Sequence, residues 1–212
     1  RTQYIAIIAL VIGVVGLSIG FSAFSSVLQI QSSATVKPDS STMNVDFSSS
    51  STEVLTEKIT PTVTGTTATA TDATIDNTSA PTISNLSATF TAPGQKAVYS
   101  FYAYNAGELE AFLKSIVYSN ATGGTAPKVC TAKSGTTDTL VQNACNGISL
   151  KVKVGTEAEV SGGKAGITTH SLAKKTSEKV EVTIEYAADA DRADGDFTVS
   201  FGDVTLNYSS TD

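Results

Sequence analysis

Apolar and polar positions alternate in several separate stretches of this chain. The clearest runs over Lys179–Tyr186, where Val180, Val182, Ile184 and Tyr186 share one parity and Glu181, Thr183 and Glu185 take the other. A period of two is the mark of a half-buried β-strand. Ile148–Val154 repeats it, with Ile148, Leu150, Val152 and Val154 opposite Lys151 and Lys153. Ala97–Tyr104 carries Tyr99 and Phe101 on one face and Val98, Tyr102 and Tyr104 on the other, which predicts a strand covered on both faces. In Phe112–Tyr118, Phe112, Ile116 and Tyr118 oppose Leu113 and Val117. Phe197–Phe201 and Val204–Tyr208 close the chain, with Gly202-Asp203 between them as a bulge or hairpin turn. Pro93-Gly94 and Asn105–Glu108 supply turn residues, Gly107 being suited to positive φ. No stretch after residue 26 shows a convincing 3.6-residue period. Many short strands separated by turns predict an all-β sandwich, with 88–212 as its main part.

The first 36 residues read differently. From Ile5 to Phe24 no residue is charged. At about 1.5 Å per residue, an apolar helix of that length crosses a bilayer. Three readings of residues 1–24 stay open: a signal peptide cut after Phe21-Ser22-Ala23, a retained membrane anchor, and a pilin-like helix buried in a filament core. The pilin reading lacks the glutamate usual near the mature N-terminus, since Ile5 stands at the fifth position. Each reading implies export. The next stretch, Val27–Val36, places Leu28, Ile30, Ala34 and Val36 on one parity, as a strand would. Residues 37–87 form a Ser/Thr-rich insert of low complexity. It reads as part solvated linker, open to O-glycosylation, and part edge strands near Met43–Phe47 and Val54–Ile59.

Composition narrows the function. The chain has 212 residues, a net charge of −6 and only two arginines, Arg1 and Arg192. Such a chain is a poor ligand for phosphate backbones, so nucleic acid is not an expected partner. The two cysteines, Cys130 and Cys145, have neither CxxC spacing nor a histidine cluster for zinc. In an exported chain they predict one disulfide. It would close a loop of about 15 residues, for which chain entropy gives about 3 kcal/mol.

The apolar segment ends in "GFSAFSS", and "VLQIQSSATV" follows directly. The central "FTAPGQKAVYSFYAYNAGELEAFLKSIVYS" reads as a Pro-Gly turn, an aromatic strand, an Asn-Gly-type turn and a second strand, and "VEVTIEYAADA" and "DGDFTVSFGDVTLNYS" close the chain. In these motifs the chain resembles the TasA/camelysin family of secreted, fibre-forming biofilm-matrix proteins, whose strand–turn–strand hallmark and closing strands they look like. The likeness covers 10–36, 88–120 and 176–208, whereas the Thr-rich insert and the cysteines depart from it. It implies a jelly-roll sandwich and assembly by donor-strand complementation, in which one subunit's N-terminal strand completes a sheet of the next. Residues 25–36 are then the donor, through Val27, Leu28, Ile30, Ala34 and Val36. Localisation would be extracellular, at the cell surface or in a matrix, with membrane contact only through the segment before processing.

Candidate chemistry is sparse. The sole histidine, His170, lies in the polar stretch "GITTHSLAKK" and reads as a solvated loop residue. Metalloprotease chemistry, the class given to camelysin-like relatives, needs more imidazoles than that. No GxSxG, GxGxxG or P-loop pattern occurs, and no cofactor is expected. "DADRADGD" gathers Asp189, Asp191, Asp194 and Asp196, which reads either as a solvated turn or as a calcium loop lacking its closing glutamate. Asn77, Asn85, Asn120 and Asn207 each head an Asn-x-Ser/Thr sequon, a glycosylation candidate in a secreted chain. A structural, self-assembling protein is the expectation. A membrane-anchored surface binding module is the alternative, followed by a pilin-like subunit, and a protease stands last.

Overall fold

Alternating burial organises the computed structural model, which describes residues 43–52, 57–121, 125–168 and 170–211. The candidate leader at 1–24 and the candidate donor strand at 25–36 lie outside these residues. In chain order the strands are β1 (Val45–Ser48), β2 (Lys58–Ile59), β3 (Thr62–Thr64), β4 (Thr69–Ala70), β5 (Ala73–Asp76), β6 (Thr82–Ser84), β7 (Ser87–Phe90), β8 (Lys96–Asn105), β9 (Ala111–Tyr118) and β10 (Lys128–Ala132). Helix α1 (Asp138–Asn146) follows, and then β11 (Ile148–Val154), β12 (Lys164–Ala165), β13 (Ser171–Leu172), β14 (Ser177–Tyr186), β15 (Phe197–Phe201) and β16 (Val204–Ser209). All named pairings are antiparallel.

One layer of the sandwich has the order β1-β8-β14-β11, with β3 also pairing β8. The two remaining sheets run β10-β15-β7-β4 and β9-β16-β6-β5-β2, with β12 and β13 on the outer side of β9. Their registers join end to end. Lys128 opposes Phe201 and Tyr118 opposes Val204, so β9 and β10 run beside β16 and β15 in one continued ladder. The second layer is therefore one bent sheet of four long strands, each broken once near its middle. Asn85, with φ 58°, marks one such break, and the Phe201 N–H donates to the Leu86 carbonyl at 2.9 Å across it.

The inward parity of each strand fills a single core. Tyr99, Phe101, Val180, Val182, Ile184, Tyr186, Phe197 and Val199 are buried, together with Ile148, Leu150, Val152 and Val154. Tyr186 packs at a ring-centroid distance of 5.5 Å from Phe197 and 6.0 Å from Phe90, so it joins the layers. The Tyr99 hydroxyl donates to the carbonyls of Thr71 and Ser87, both at 3.0 Å. Burying that hydroxyl without a partner would cost free energy, so these bonds also fix the register of one layer on the other.

Several expectations are corrected. The boundary drawn at residue 87 has no counterpart in the fold. Six strands lie between Val45 and Ser84, and β1 and β3 both pair with β8. Their short apolar residues, such as Ala73, Ile75 and Ile83, are buried. Of the expected Val54–Ile59 strand, the described part is Lys58–Ile59. The Asn105–Glu108 turn separates β8 from β9 as expected, and it carries the chain from one sheet to another. Gly107 is absent from the left-handed glycines, and Asn105 shapes the turn instead. Its buried amide accepts the Gly107 N–H at 3.0 Å and donates to the carbonyls of Leu109 and Leu172 at 2.8 and 3.1 Å. Gly202-Asp203 closes no hairpin: it is the break between β15 and β16, which run on in the same direction within the bent sheet. In β9 the register slips by one residue, since Asn207 opposes Ser115 and Tyr208 opposes Leu113. This bulge turns Leu113 into the core with Ile116 and leaves Phe112 half-buried. Finally, α1 is a helix where none is expected. It buries Val141, Ala144 and Cys145, an i, i+3, i+4 stripe too short to stand out by period.

Candidate functional site

A sandwich binds through loops, faces or unpaired edges, and the edges here are treated unequally. The outer edge of β1 is sealed by a side chain. Asn77 accepts the Phe47 N–H at 2.8 Å and donates to the Phe47 carbonyl at 3.0 Å, as a neighbouring peptide group would. The outer edge of β9 is occupied by β12 and β13. Beside β10 lies α1, tethered by the Cys130–Cys145 disulfide with Cα atoms 6.2 Å apart, and Gln142 donates to the Cys130 carbonyl at 3.4 Å. The expected cystine is thus present, and it holds a helix along a sheet edge.

The edge of β11 is treated differently. Val152 exchanges both backbone bonds with Val160, at 2.8 and 2.9 Å. The chain then leaves β11, and Gly162 bridges to Thr125. A groove of about 460 Å³ opens between β10 and β11. Ile148 and Leu150 form one wall, Ala126 and Gly162–Gly163 the other, and Phe201 reaches in as well. Half-buried Lys128 crosses it, its ammonium donating to the Ile148 carbonyl at 2.5 Å. Burial lowers the pKa of this lysine. Among the described residues no carboxylate lies within ion-pair distance of it.

His170 is the main departure from the sequence reading. It is buried, not solvated, with 7% of its side chain exposed. Its Nε2 lies 2.6 Å from Glu178 Oε2 and its Nδ1 lies 3.3 Å from Glu157 Oε1. Lys164 holds the second oxygen of Glu157 at 2.9 Å, and the Tyr208 hydroxyl donates to Glu178 Oε1 at 2.9 Å. The hydrogen bond to Glu178, with the charge of both carboxylates, raises the histidine pKa above its ordinary value despite burial. Gly155, at φ +52°, makes room, because a Cβ there would overlap Glu178 Oε2. Both imidazole nitrogens face carboxylates, so neither is directed at a hydroxyl or thiol nucleophile. The cluster ties the Gly155–Leu172 excursion, which carries β12 and β13, to β14 and β16. Sequence reasoning missed it because its carboxylates lie 13 residues before and 8 after the histidine.

The other candidates are placed as follows. Asp189, Asp191, Asp194 and Asp196 lie in the β14–β15 connection, and among the described residues no group of three or more His, Cys, Asp or Glu side chains is arranged to hold a metal. Asp194 instead accepts the Thr137 N–H at 2.9 Å and its hydroxyl at 2.5 Å, which lowers the pKa of its carboxyl. Thr137 is the residue at the start of α1, so the acidic loop positions the helix. Among the sequon asparagines, Asn77 and Asn207 are half-buried and hydrogen-bonded, Asn207 donating to Ser115 Oγ at 2.9 Å. Asn85 and Asn120 are exposed at left-handed turns, with φ 58° and 57°. Among the described residues no helix is long and apolar enough to cross a membrane.

No family model, curated protein or solved structure matches the chain.

Proposed function

We propose that this protein is a secreted, non-enzymatic structural subunit that assembles into extracellular filaments. Its fold is read as a jelly-roll variant, and the N-terminal apolar segment as an export signal or anchor. Residues 25–36 would supply the strand that joins one subunit to the next. The observation that carries this reading is the guarding of three of the sandwich's edges, by Asn77, by β12 with β13, and by α1 with its disulfide. A body so protected resists indiscriminate edge pairing, so ordered growth needs a dedicated segment. Val27–Val36 has the apolar alternation that a complementing strand requires, and a head-to-tail contact of that kind yields an open filament. The resemblance to the TasA/camelysin motifs supports the same reading. The His170 cluster fits it too, because its two ring nitrogens serve to bind carboxylates.

The test is negative-stain microscopy and sedimentation of the purified secreted chain, beside a variant lacking residues 25–36. Filaments from the first and monomers from the second are expected. A full chain that stays monomeric at high concentration, or a deletion variant that polymerises equally, would overturn the reading.

A further inference from the structure

We propose that protonated His170 clasps β12 against the outer edge of β9, and that loss of the ring proton releases β12 and bares that edge. The cover over β9 is slight. Lys164 and Ala165 of β12 oppose Ile116 and Ser115, and Ser171 and Leu172 of β13 oppose Phe112 and Ala111. Between the two short strands the Ile167 N–H donates to the Lys114 carbonyl at 3.1 Å, and Ile167 and Leu172 add apolar burial. Ladders two residues long return few hydrogen bonds for the backbone entropy they cost, so the cover depends on what holds it elsewhere.

The imidazole is the hub of that hold. Glu157 faces Nδ1 from the turn after β11 at 3.3 Å, and its other oxygen takes Lys164 of β12 at 2.9 Å. Glu178 faces Nε2 from β14 at 2.6 Å, and its other oxygen takes the Tyr208 hydroxyl of β16 at 2.9 Å. Lys164, Glu157 and the ring thus tie β12 to β14 in series. Two carboxylates facing two ring nitrogens need two N–H donors, which only the imidazolium has. A neutral ring keeps its one N–H for Glu178, the nearer acceptor. Its Nδ1 lone pair then faces Glu157 and repels it, and Lys164 moves with its carboxylate. β13 stays, because His170 beside it is still bonded to Glu178. A cavity of about 520 Å³ lined by Gly155, Glu157, His170 and Glu178 gives water access to the ring. The bond to Glu178 raises the pKa of the ring, so release comes as pH rises above the ordinary value of about 6.5. Tyr208 does not compete, since burial keeps its hydroxyl protonated well beyond that range. Bared backbone at Ser115 and Ile116 can then pair with another strand. This device does not rest on assembly through residues 25–36.

The experiment measures amide hydrogen exchange of the ¹⁵N-labelled full chain from about pH 6 to about pH 9, as protection factors that divide out base catalysis. Ile167 is expected to lose at least about tenfold in protection over that range. It should also stay less protected than Val182, which β14 pairs on both sides, as a local opening requires. His170→Gln removes the titrating group, so its Ile167 protection should not vary with pH. Glu157→Gln gives the neutral ring an amide N–H to accept and should lose the pH dependence too, which keeps the test open if His170→Gln does not fold. Three results would overturn the proposal: unchanged Ile167 protection in the parent, Ile167 protection equal to that of Val182, or a pH dependence that survives in either variant. The second would mean that only global unfolding bares the edge.

Discussion

His170 Nε2 and Glu178 Oε2 lie 2.6 Å apart in a site where 7% of the histidine and 11% of the glutamate side chain are exposed. Glu157 approaches the other ring nitrogen and is itself held by Lys164, and Tyr208 holds Glu178. The folded pKa of His170 is raised, first by the bond to Glu178. A raised folded pKa means that protonation stabilises the fold. That contribution is complete below the unfolded value of about 6.5 and is lost as pH rises through the folded value. Urea midpoints are therefore expected to fall as pH rises from about 6.5 into the alkaline range. His170→Gln should flatten this slope and cost about 3 kcal/mol at neutral pH, because it leaves the nearly buried Glu178 without its cation while Glu157 keeps Lys164. An unchanged slope in the variant would contradict the assignment.

Asn77 bonds both backbone groups of Phe47. Asn77→Ala would leave a half-buried N–H and carbonyl unpaired, at an expected cost of about 2 kcal/mol by chemical denaturation. It would also open the β1 edge, so light scattering should report concentration-dependent association that the parent lacks. Asn77→Asp should recover little, since a carboxylate accepts the N–H but repels the carbonyl. A parent-like Asn77→Ala protein would remove the edge-sealing role.

The Cys130–Cys145 bond joins β10 to α1 across 15 residues. Its reduction is expected to lower stability by about 3 kcal/mol, or Tm by about 10 °C for a chain of this size. Hydrogen exchange should localise the loss to α1 and the β10 edge. Equal protection there in oxidised and reduced protein would contradict that placement.

Tyr118 has a buried hydroxyl with no hydrogen-bond partner among the described residues, and burial pushes its pKa up. Tyr118→Phe removes an unpaid desolvation cost at nearly constant shape. Stability should stay level or rise by up to about 1 kcal/mol in urea titrations. A loss above about 1 kcal/mol would show that the hydroxyl has a partner, a bound water being the first to examine.

Strand existence was legible wherever a strand keeps a strict period of two. β14 and β11 match their patterns residue for residue, because each turns one face to the core along its whole length. The pattern misled at the β9 bulge, where one extra residue changes the parity that local spacing can express. In the Thr-rich region, threonine gave little contrast between faces, although strands there bury Ile59, Ala73, Ile75 and Ile83.

By itself the sequence determined an all-β class, one disulfide and the inward faces of the regular strands. These depend on residue type and short-range periodicity, which a linear chain carries in full. Tertiary structure alone decided that the Asn105–Glu108 turn passes between layers and that Gly202-Asp203 interrupts a strand without reversing it. It also decided that Asn77 seals an edge 30 residues away, and that His170 meets its two carboxylates. The physical reason is shared: a hydrogen bond or an ion pair depends on a distance of a few ångströms in space, and chain separation does not encode that distance.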